Sequence, residues 1–246
     1  MYTSAKERLF SLEHEKPYPD ISLAIAYQMI MDNETKEKKH CELFIRGITP
    51  EKRVVLPIET IRHYREHNRY KEITRFVFER ALEVIRRERI GVHINIGSDD
   101  IFSDTGRYIE ETLFQNQHLA EYLTLEVLEN CEILEKDKAL HFFNRVRGAG
   151  TKIALDDFGK SFCNYSRLLD MDFDLLKIDG SLTRDIDKCD KRAFLLDSLQ
   201  GFARKMGVEI VAEQVETKEE QEKIASLGIA YSQGFYIHKP KIEEID

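Results

Sequence analysis

Carboxylates recur in this chain at the ends of apolar runs. From Lys152 to Phe162, Lys-Ile-Ala-Leu-Asp-Asp-Phe-Gly-Lys-Ser-Phe, an apolar strand runs into two adjacent acids and a glycine turn. Side chains alternate along a strand, so Ala154 and Asp156 share a face, with Asp156 at the strand end and Asp157 just beyond it. Alone, such a pair fits a polar strand-to-helix turn with an N-cap as well as it fits a cation site. Other strand ends decide between the two. Asn95 closes one apolar run, Glu126 and Glu129 another, Lys177 and Asp179 a third, Glu213 and Glu216 a fourth, and Gln233 with Gly234 a fifth. Glu42 lies within an otherwise mostly apolar run that ends in Arg46.

If these ends meet at one mouth, six or more carboxylates converge there. At about 4 Å and an effective dielectric near 20, each like-charge pair costs roughly 4 kcal/mol, so the cluster needs cations or protons. The donors are all oxygen, with no Cys or paired His beside them, which suits Mg²⁺ or Mn²⁺ better than Zn²⁺ or copper. Two such ions would clamp a phosphodiester and acidify a water, so the reaction class is phosphodiester hydrolysis. Lys177 then fits either a strand lysine paired with Asp179 or the residue that holds the nucleophilic water or the phosphate. Glu129 and Glu216 fall in loops, where solvated structural roles compete with metal contacts. His63, His67, His93 and His141 lack metal-ligand spacing and read as solvated or satisfied histidines. No P-loop, Gly-x-Gly-x-x-Gly or nucleophile elbow is present.

The elements that must position these groups follow from periodicity. Residues 1–20 read as a lead-in, and 21–246 as a single domain without a Pro-, Gly- or Ser-rich linker. Ile21–Met31 and His40–Ile45 are strands joined by a link short enough for antiparallel neighbours. Helical spacing follows Pro57 and includes Ile73, Phe76, Val77, Phe78, Ala81, Val84 and Ile85, with Gly91 as its stop. Strands at 92–96, 122–127, 152–156, 174–178, 208–212 and 229–231 then alternate with helices, among them 99–117, 133–147, 164–169, 191–205 and 218–227. Eight strands with helices between nearly all of them predict an α/β fold, a modified (β/α)8 TIM-like barrel with one antiparallel strand at its start. Barrel chemistry sits at the C-terminal strand ends, where the acids are.

The chain of 246 residues, 42% hydrophobic, is long enough for one such barrel. A net charge of -8 argues against holding long nucleic acid by phosphate neutralisation. Cys41, Cys131, Cys163 and Cys189 are too scattered for a zinc site or a disulfide framework, and no signal peptide or membrane-spanning run is evident, so a cytoplasmic protein without membrane insertion is expected.

The motif order, from Ala26 to Pro240, resembles the EAL family of bacterial cyclic-di-GMP phosphodiesterases. Tyr27-Gln28 resembles the family's Tyr-Gln-Pro, Glu42-Leu-Phe-Ile-Arg46 its Glu-Ala-Leu-Leu-Arg, and Ile94-Asn95-Ile96 its Val-Asn-Val strand. Leu125-Glu126-Val-Leu-Glu129, Asp156-Asp157-Phe-Gly159, Lys177-Ile-Asp179, Ala212-Glu213-Gln-Val-Glu216 and Gln233-Gly234-Phe235 are similar to the remaining signatures. The resemblance implies hydrolysis of cyclic di-GMP to linear pGpG with Mg²⁺ or Mn²⁺ in a two-metal site. It would place Glu42, Asn95, Glu126 and Asp156 on one metal, and Asp156, Asp157 and Glu213 on the other. Lys177 would hold the attacking water with Glu213 as base. Gln28, Arg46 and Gln233 would contact the dinucleotide, Glu129 would anchor the loop after Asp157, and Asp179 and Glu216 would support the site. A homodimer is implied by family analogy alone.

The departures lie between these positions: Leu43-Phe44 for Ala-Leu, Met29 for proline, Gln214 for glycine, and Lys160-Ser161-Phe162-Cys163-Asn164-Tyr165 for Thr-Gly-Tyr-Ser-Ser-Leu. Lys160 adds a cation near the metal mouth, and Ser161 loses glycine's backbone freedom. The alternatives left open are a receptor that binds cyclic di-GMP or a protein partner without hydrolysis, and a hydrolase for another phosphodiester. A pure receptor has no chemical need for Glu213 with Lys177.

Overall fold

A computed structural model of the protein describes residues 20–128, 136–160 and 172–242. The first apolar run forms β1 (Ser22–Asp32) and returns antiparallel as β2 (His40–Ile48), with Gln28 opposite Glu42. The return is built by Asp32, whose Oδ1 accepts from the backbone N–H groups of Glu34 and Thr35 at 2.8 and 2.9 Å. After the two-residue β3 (Val54–Val55), proline opens α1 (Pro57–Glu66), where its missing N–H costs nothing. The buried stripe of α2 (Tyr70–Glu88) is the one expected from its spacing, except that Phe76 is only partly buried. That helix ends on Arg89 in the left-handed region, φ 55°. Gly91 instead opens β4 (Gly91–Asn95), where a Cβ would run into the His40 ring.

The helix expected over 99–117 is broken into α3 (Ser98–Ile101), α4 (Asp104–Gln115) and α5 (Gln117–Ala120). Ser103 causes the first break: its Oγ accepts from Thr105 N at 3.1 Å and starts α4. The alternation continues with β5 (Leu123–Leu128), α6 (Lys136–Gly148), β6 (Lys152–Phe158), β7 (Leu175–Ile178), α7 (Gly180–Thr183) and α8 (Asp190–Met206). It closes with β8 (Glu209–Ala212), α9 (Lys218–Ser226), β9 (Tyr231–Gln233) and a short β10 (Lys241–Ile242). The last barrel strand thus lies two residues beyond its expected place, so Gln233 is inside it. The helix expected at 164–169 and all of the expected lead-in at 1–20 except Asp20 fall outside the described residues.

Strands β2 and β4 to β9 run in order, each parallel to the next from β2 to β9, and β1 closes the ring by pairing antiparallel with both β2 and β9. This is the modified barrel with one antiparallel strand. One large apolar cluster fills the space between barrel and helices, including Phe78, Leu113, Phe143 and Ile210. A second, small cluster of Ile30, Ala154, Leu175 and Val211 packs separately from it. Two residues further along the chain from three of these, on the same strand face, come Asp156, Lys177 and Glu213. Strand alternation therefore stacks the acid layer directly above an apolar plug.

Candidate active site

Lys177 is the centre of the site. Its side chain is 1% exposed, and its Nζ lies 2.6 Å from Glu126 Oε2, 3.0 Å from Glu42 Oε2, 3.0 Å from Glu213 Oε1 and 3.1 Å from Asp156 Oδ1. Four strands thus deliver four carboxylates to one ammonium. Burial opposes charge on Lys177, but the fields of Glu126, Glu213, Glu42 and Asp156 overcome it and hold the amine protonated well above its usual range. The acids show the reverse. Burial, then Glu126, pushes Glu42 up to about 7, and burial pushes Glu126 up to about 7 as well. Glu213 is raised well above the carboxylate range, also by burial first. Between Lys177 and Asp179 the sequence left open a simple strand pair; Lys177 instead turns into the barrel, and Asp179 caps α7 by accepting from Ser181 N at 2.8 Å.

Around this centre the amides order the acids. Asn95 Nδ2 donates to Glu42 Oε1 at 3.0 Å, which leaves its own carbonyl oxygen available. Gln233 Nε2 donates to Glu42 Oε2 at 2.9 Å and to Gln28 Oε1 at 3.1 Å, while Gln28 Nε2 donates to the His238 carbonyl at 2.8 Å. Gly234 lets this strand end lie against Val215, whose backbone a Cβ would strike. His93, the satisfied histidine of the sequence reading, is satisfied by the site itself: its Nδ1 lies 2.9 Å from Glu126 Oε1. Burial, then Lys177, lowers His93 to about 3, so its ring is neutral.

The acid pair departs from simple alternation. Strand β6 runs through both residues to Phe158, its register against β7 breaks between Leu155 and Phe158, and Asp157 takes a left-handed φ of 60°. A bulge of this kind re-aims side chains, and both Asp156 and Asp157 line the same cavity of about 490 Å³. Gln28, Glu42, Asn95, Lys177, Glu213 and Gln233 line it too, as do Phe44, Gln214, Glu216 and Phe235. A larger groove of about 690 Å³ outside the β1–β2 hairpin carries one carboxylate, Glu88, so size does not locate the chemistry. Glu126 is fully buried. Arg46 does not reach the acids: its Nη1 donates to the Ile45 carbonyl at 2.8 Å, and its guanidinium lies 5.8 Å from the Phe44 ring centroid. Glu216 is half-exposed, with Oε1 3.5 Å from Arg184 Nη2. Glu129 lies outside the described residues, as does the loop from Ser161 to Tyr165.

Asp157, Asp179 and Glu213 each place a carboxylate oxygen within 4.8 Å of the others, a geometry that fits a cation. Asp179 was expected only as a support; its second oxygen accepts from Gln214 Nε2 at 3.1 Å. The donor set as a whole suits a hard divalent ion, since it is all oxygen and carries more negative charge than Lys177 neutralises. Asp156 Oδ1 is buried without a hydrogen bond of good geometry, although the Lys177 ammonium is near.

Comparison with known proteins bears on this geometry. The family model described as EAL domain matches residues 20–240. The chain belongs to the EAL domain family. This EAL domain is 32% identical over 187 residues, 72% of the chain, to cyclic di-GMP phosphodiesterase PdeA of Borreliella burgdorferi, and 36% identical over 133 residues, 54% of the chain, to cyclic di-GMP phosphodiesterase PdeF of Escherichia coli. The matches span 27% and 18% of those relatives' lengths. Among solved structures, an EAL domain protein from Listeria monocytogenes superposes with a TM-score of 0.81 at 24% identity, covering 89% of this chain and 88% of that one. The FimX EAL domain from Pseudomonas aeruginosa, solved bound to c-di-GMP, gives 0.80 at 18% identity, covering 89% and 91%. These likenesses establish the barrel. Among the described residues no helix is long and apolar enough to cross a membrane.

Proposed function

We propose that this EAL domain hydrolyses cyclic di-GMP to linear pGpG with Mg²⁺ or Mn²⁺. The observation that carries the reading is the convergence of Glu42, Glu126, Asp156 and Glu213 on Lys177 within 3.1 Å, in a family whose similar members are named cyclic di-GMP phosphodiesterases. Glu42, Asn95, Glu126 and Asp156 would hold one ion and Asp156, Asp157 and Glu213 the other. When bound, such ions neutralise phosphate charge and acidify a water. Lys177 orients the attacking water through an Nζ–H, and Glu213 takes its proton, the raised affinity of its carboxyl for protons suiting it to act as base. The water oxygen adds to phosphorus, the P–O3′ bond opens, and the departing oxygen takes up a proton. Gln28 and Gln233 line the cavity where the dinucleotide would sit, and Gln233 Oε1, buried without a hydrogen bond, is a free acceptor for a base N–H. Arg46 would have to leave its bond to the Ile45 carbonyl to join them. Asp179 and Glu216 would support the site, a homodimer is part of the family reading, and a cytoplasmic location is the expectation from the sequence.

One observation favours slow turnover. Lys160 Nζ lies 2.8 Å from Asp157 Oδ2, where it competes with a divalent ion for that oxygen. The test is incubation of purified protein with cyclic di-GMP and Mn²⁺, following pGpG, with Glu42→Ala and Glu213→Gln as controls. Formation of pGpG by wild type alone is expected. Binding without opening of the ring, at any Mn²⁺ concentration, overturns hydrolysis and leaves a receptor.

A further inference from the structure

His93 is wholly buried in the barrel, and the reaction described above gives it no part. It stands two residues before Asn95 on β4 and so shares that strand face. From there its Nδ1 reaches Glu126 Oε1 at 2.9 Å, while the other oxygen of Glu126 takes the Lys177 ammonium at 2.6 Å. With Glu126 ionised, as it must be to hold a divalent ion, the oxygen that does not take the Lys177 ammonium also accepts, so Nδ1 carries the hydrogen and donates it. The ring is itself held, edge-on to His40 with centroids 5.7 Å apart. Glutamate has three rotatable side-chain bonds; a donor at each oxygen leaves Glu126 one orientation.

We propose that His93 is a positioning residue, whose Nδ1–H fixes Glu126 Oε1 and thereby sets the angle at which that carboxylate meets a divalent ion. The inference rests on the reading of Glu126 as an ion ligand. Hydrogen bonds of this kind behind a ligand are worth about 10–100-fold in metal affinity.

The experiment is Mn²⁺ titration of the metal-free protein by calorimetry, with His93→Leu, which fills the space without a donor, and His93→Asn, whose amide N–H stands near the place of Nδ1. The leucine variant is expected to bind Mn²⁺ about tenfold or more weakly, and the asparagine variant to recover most of that loss. Nitrogen-15 imidazole spectra of the wild type are expected to show the Nδ1-protonated tautomer. Wild-type affinity in folded His93→Leu, or a proton on Nε2, overturns the proposal. If neither variant folds, the tautomer decides. Glu126→Gln separates the two layers of the argument: undiminished Mn²⁺ binding there removes Glu126 as a ligand, whereas a loss there without a loss in His93→Leu removes only the role of His93.

Discussion

Among the described residues two groups of acids have the spacing to hold a cation, Asp157 with Asp179 and Glu213 beside Lys177 and a second near α9, and their surroundings differ. Asp185, Asp187 and Glu220 also bring carboxylate oxygens within 4.8 Å of one another. There cations and backbone donors meet most of the charge: Glu220 accepts backbone N–H bonds from Asp185, Glu216 and Thr217, and Lys188 pairs with Asp185 at 2.9 Å and lies 3.9 Å from Asp187 Oδ2, while Asp187 Oδ1 is buried without a partner. Lys188 holds Asp185 below its usual range, and in Glu220 the three backbone bonds outweigh burial and do the same. Around Lys177 burial dominates, and Glu42, Glu126 and Glu213 are all raised. Spacing alone therefore does not make a metal site. Buried carboxylates left short of positive charge suit a cation better, whereas Glu220 at the start of α9 belongs to the capping box of that helix.

This contrast is open to test at four levels. Replacing the central cation is expected to have the largest effect: Lys177→Met strands four buried acids and should lower metal-free stability by about 3–5 kcal/mol in urea denaturation. Lys188→Met, at the surface group, should leave the urea midpoint unchanged. Next, Glu42→Ala should weaken Mn²⁺ binding by at least about tenfold, while Asp187→Asn leaves it unaltered; equal losses in the two would erase the distinction.

Stability against pH comes third. Glu42 and Glu126 keep protons to about 7 in the fold and release them near 4.5 when unfolded, so the folded state binds more protons and loses stability as pH rises through that window. His40 and His93, lowered to about 4 and 3 from 6.5, act the other way below pH 6.5. The metal-free protein should therefore have a broad stability maximum between pH ~4.5 and ~6.5, where these shifts largely cancel, and lose about 1–2 kcal/mol by pH ~8, a loss that Mn²⁺ removes. Asp185 and Glu220, being lowered, contribute stability that is lost only in acid. Smallest is Lys160→Thr, which frees Asp157 Oδ2 and should tighten Mn²⁺ binding by about two- to fivefold, as expected for a partly exposed pair.

Much of the site was legible because barrel topology turns a strand-end acid into a mouth acid. Eight strands in order, with Glu42, Asn95, Glu126, Asp156, Asp157, Lys177 and Glu213 on or just after them, were enough to assemble it. What escaped has local causes. Tyr-Ser-Gln in β9 lacks an apolar signal because Gln233 points into the site and Ser232, buried on the outer face, accepts from Asn33 Nδ2 at 2.9 Å, so periodicity alone puts the strand two residues early. The bulge at Asp157 has no residue signature, since a non-glycine φ of 60° is imposed by the fold around it. Arg46 has the right place in the chain, but its side chain turns back to its own strand. His93 has no metal-ligand spacing, so spacing does not show its place in the site. The alternation Val92-His93-Ile94-Asn95 already put it on the face of Asn95, and that signal was available.

The antiparallel start of the barrel has a bearing on how the protein comes to be active. Gln28 and Gln233, 205 positions apart, meet only where β1 closes against β9, and through Gln233 they hold Glu42. Closure of so long a loop is a late and entropically slow event. Intermediates in which the parallel strands have formed but the ring is open would contain every acid, with Asn95 beside Glu42, and lack the Gln233 amide that completes the ordering of Glu42. Competence for chemistry would then arrive in a single late step, when the first and last barrel strands join.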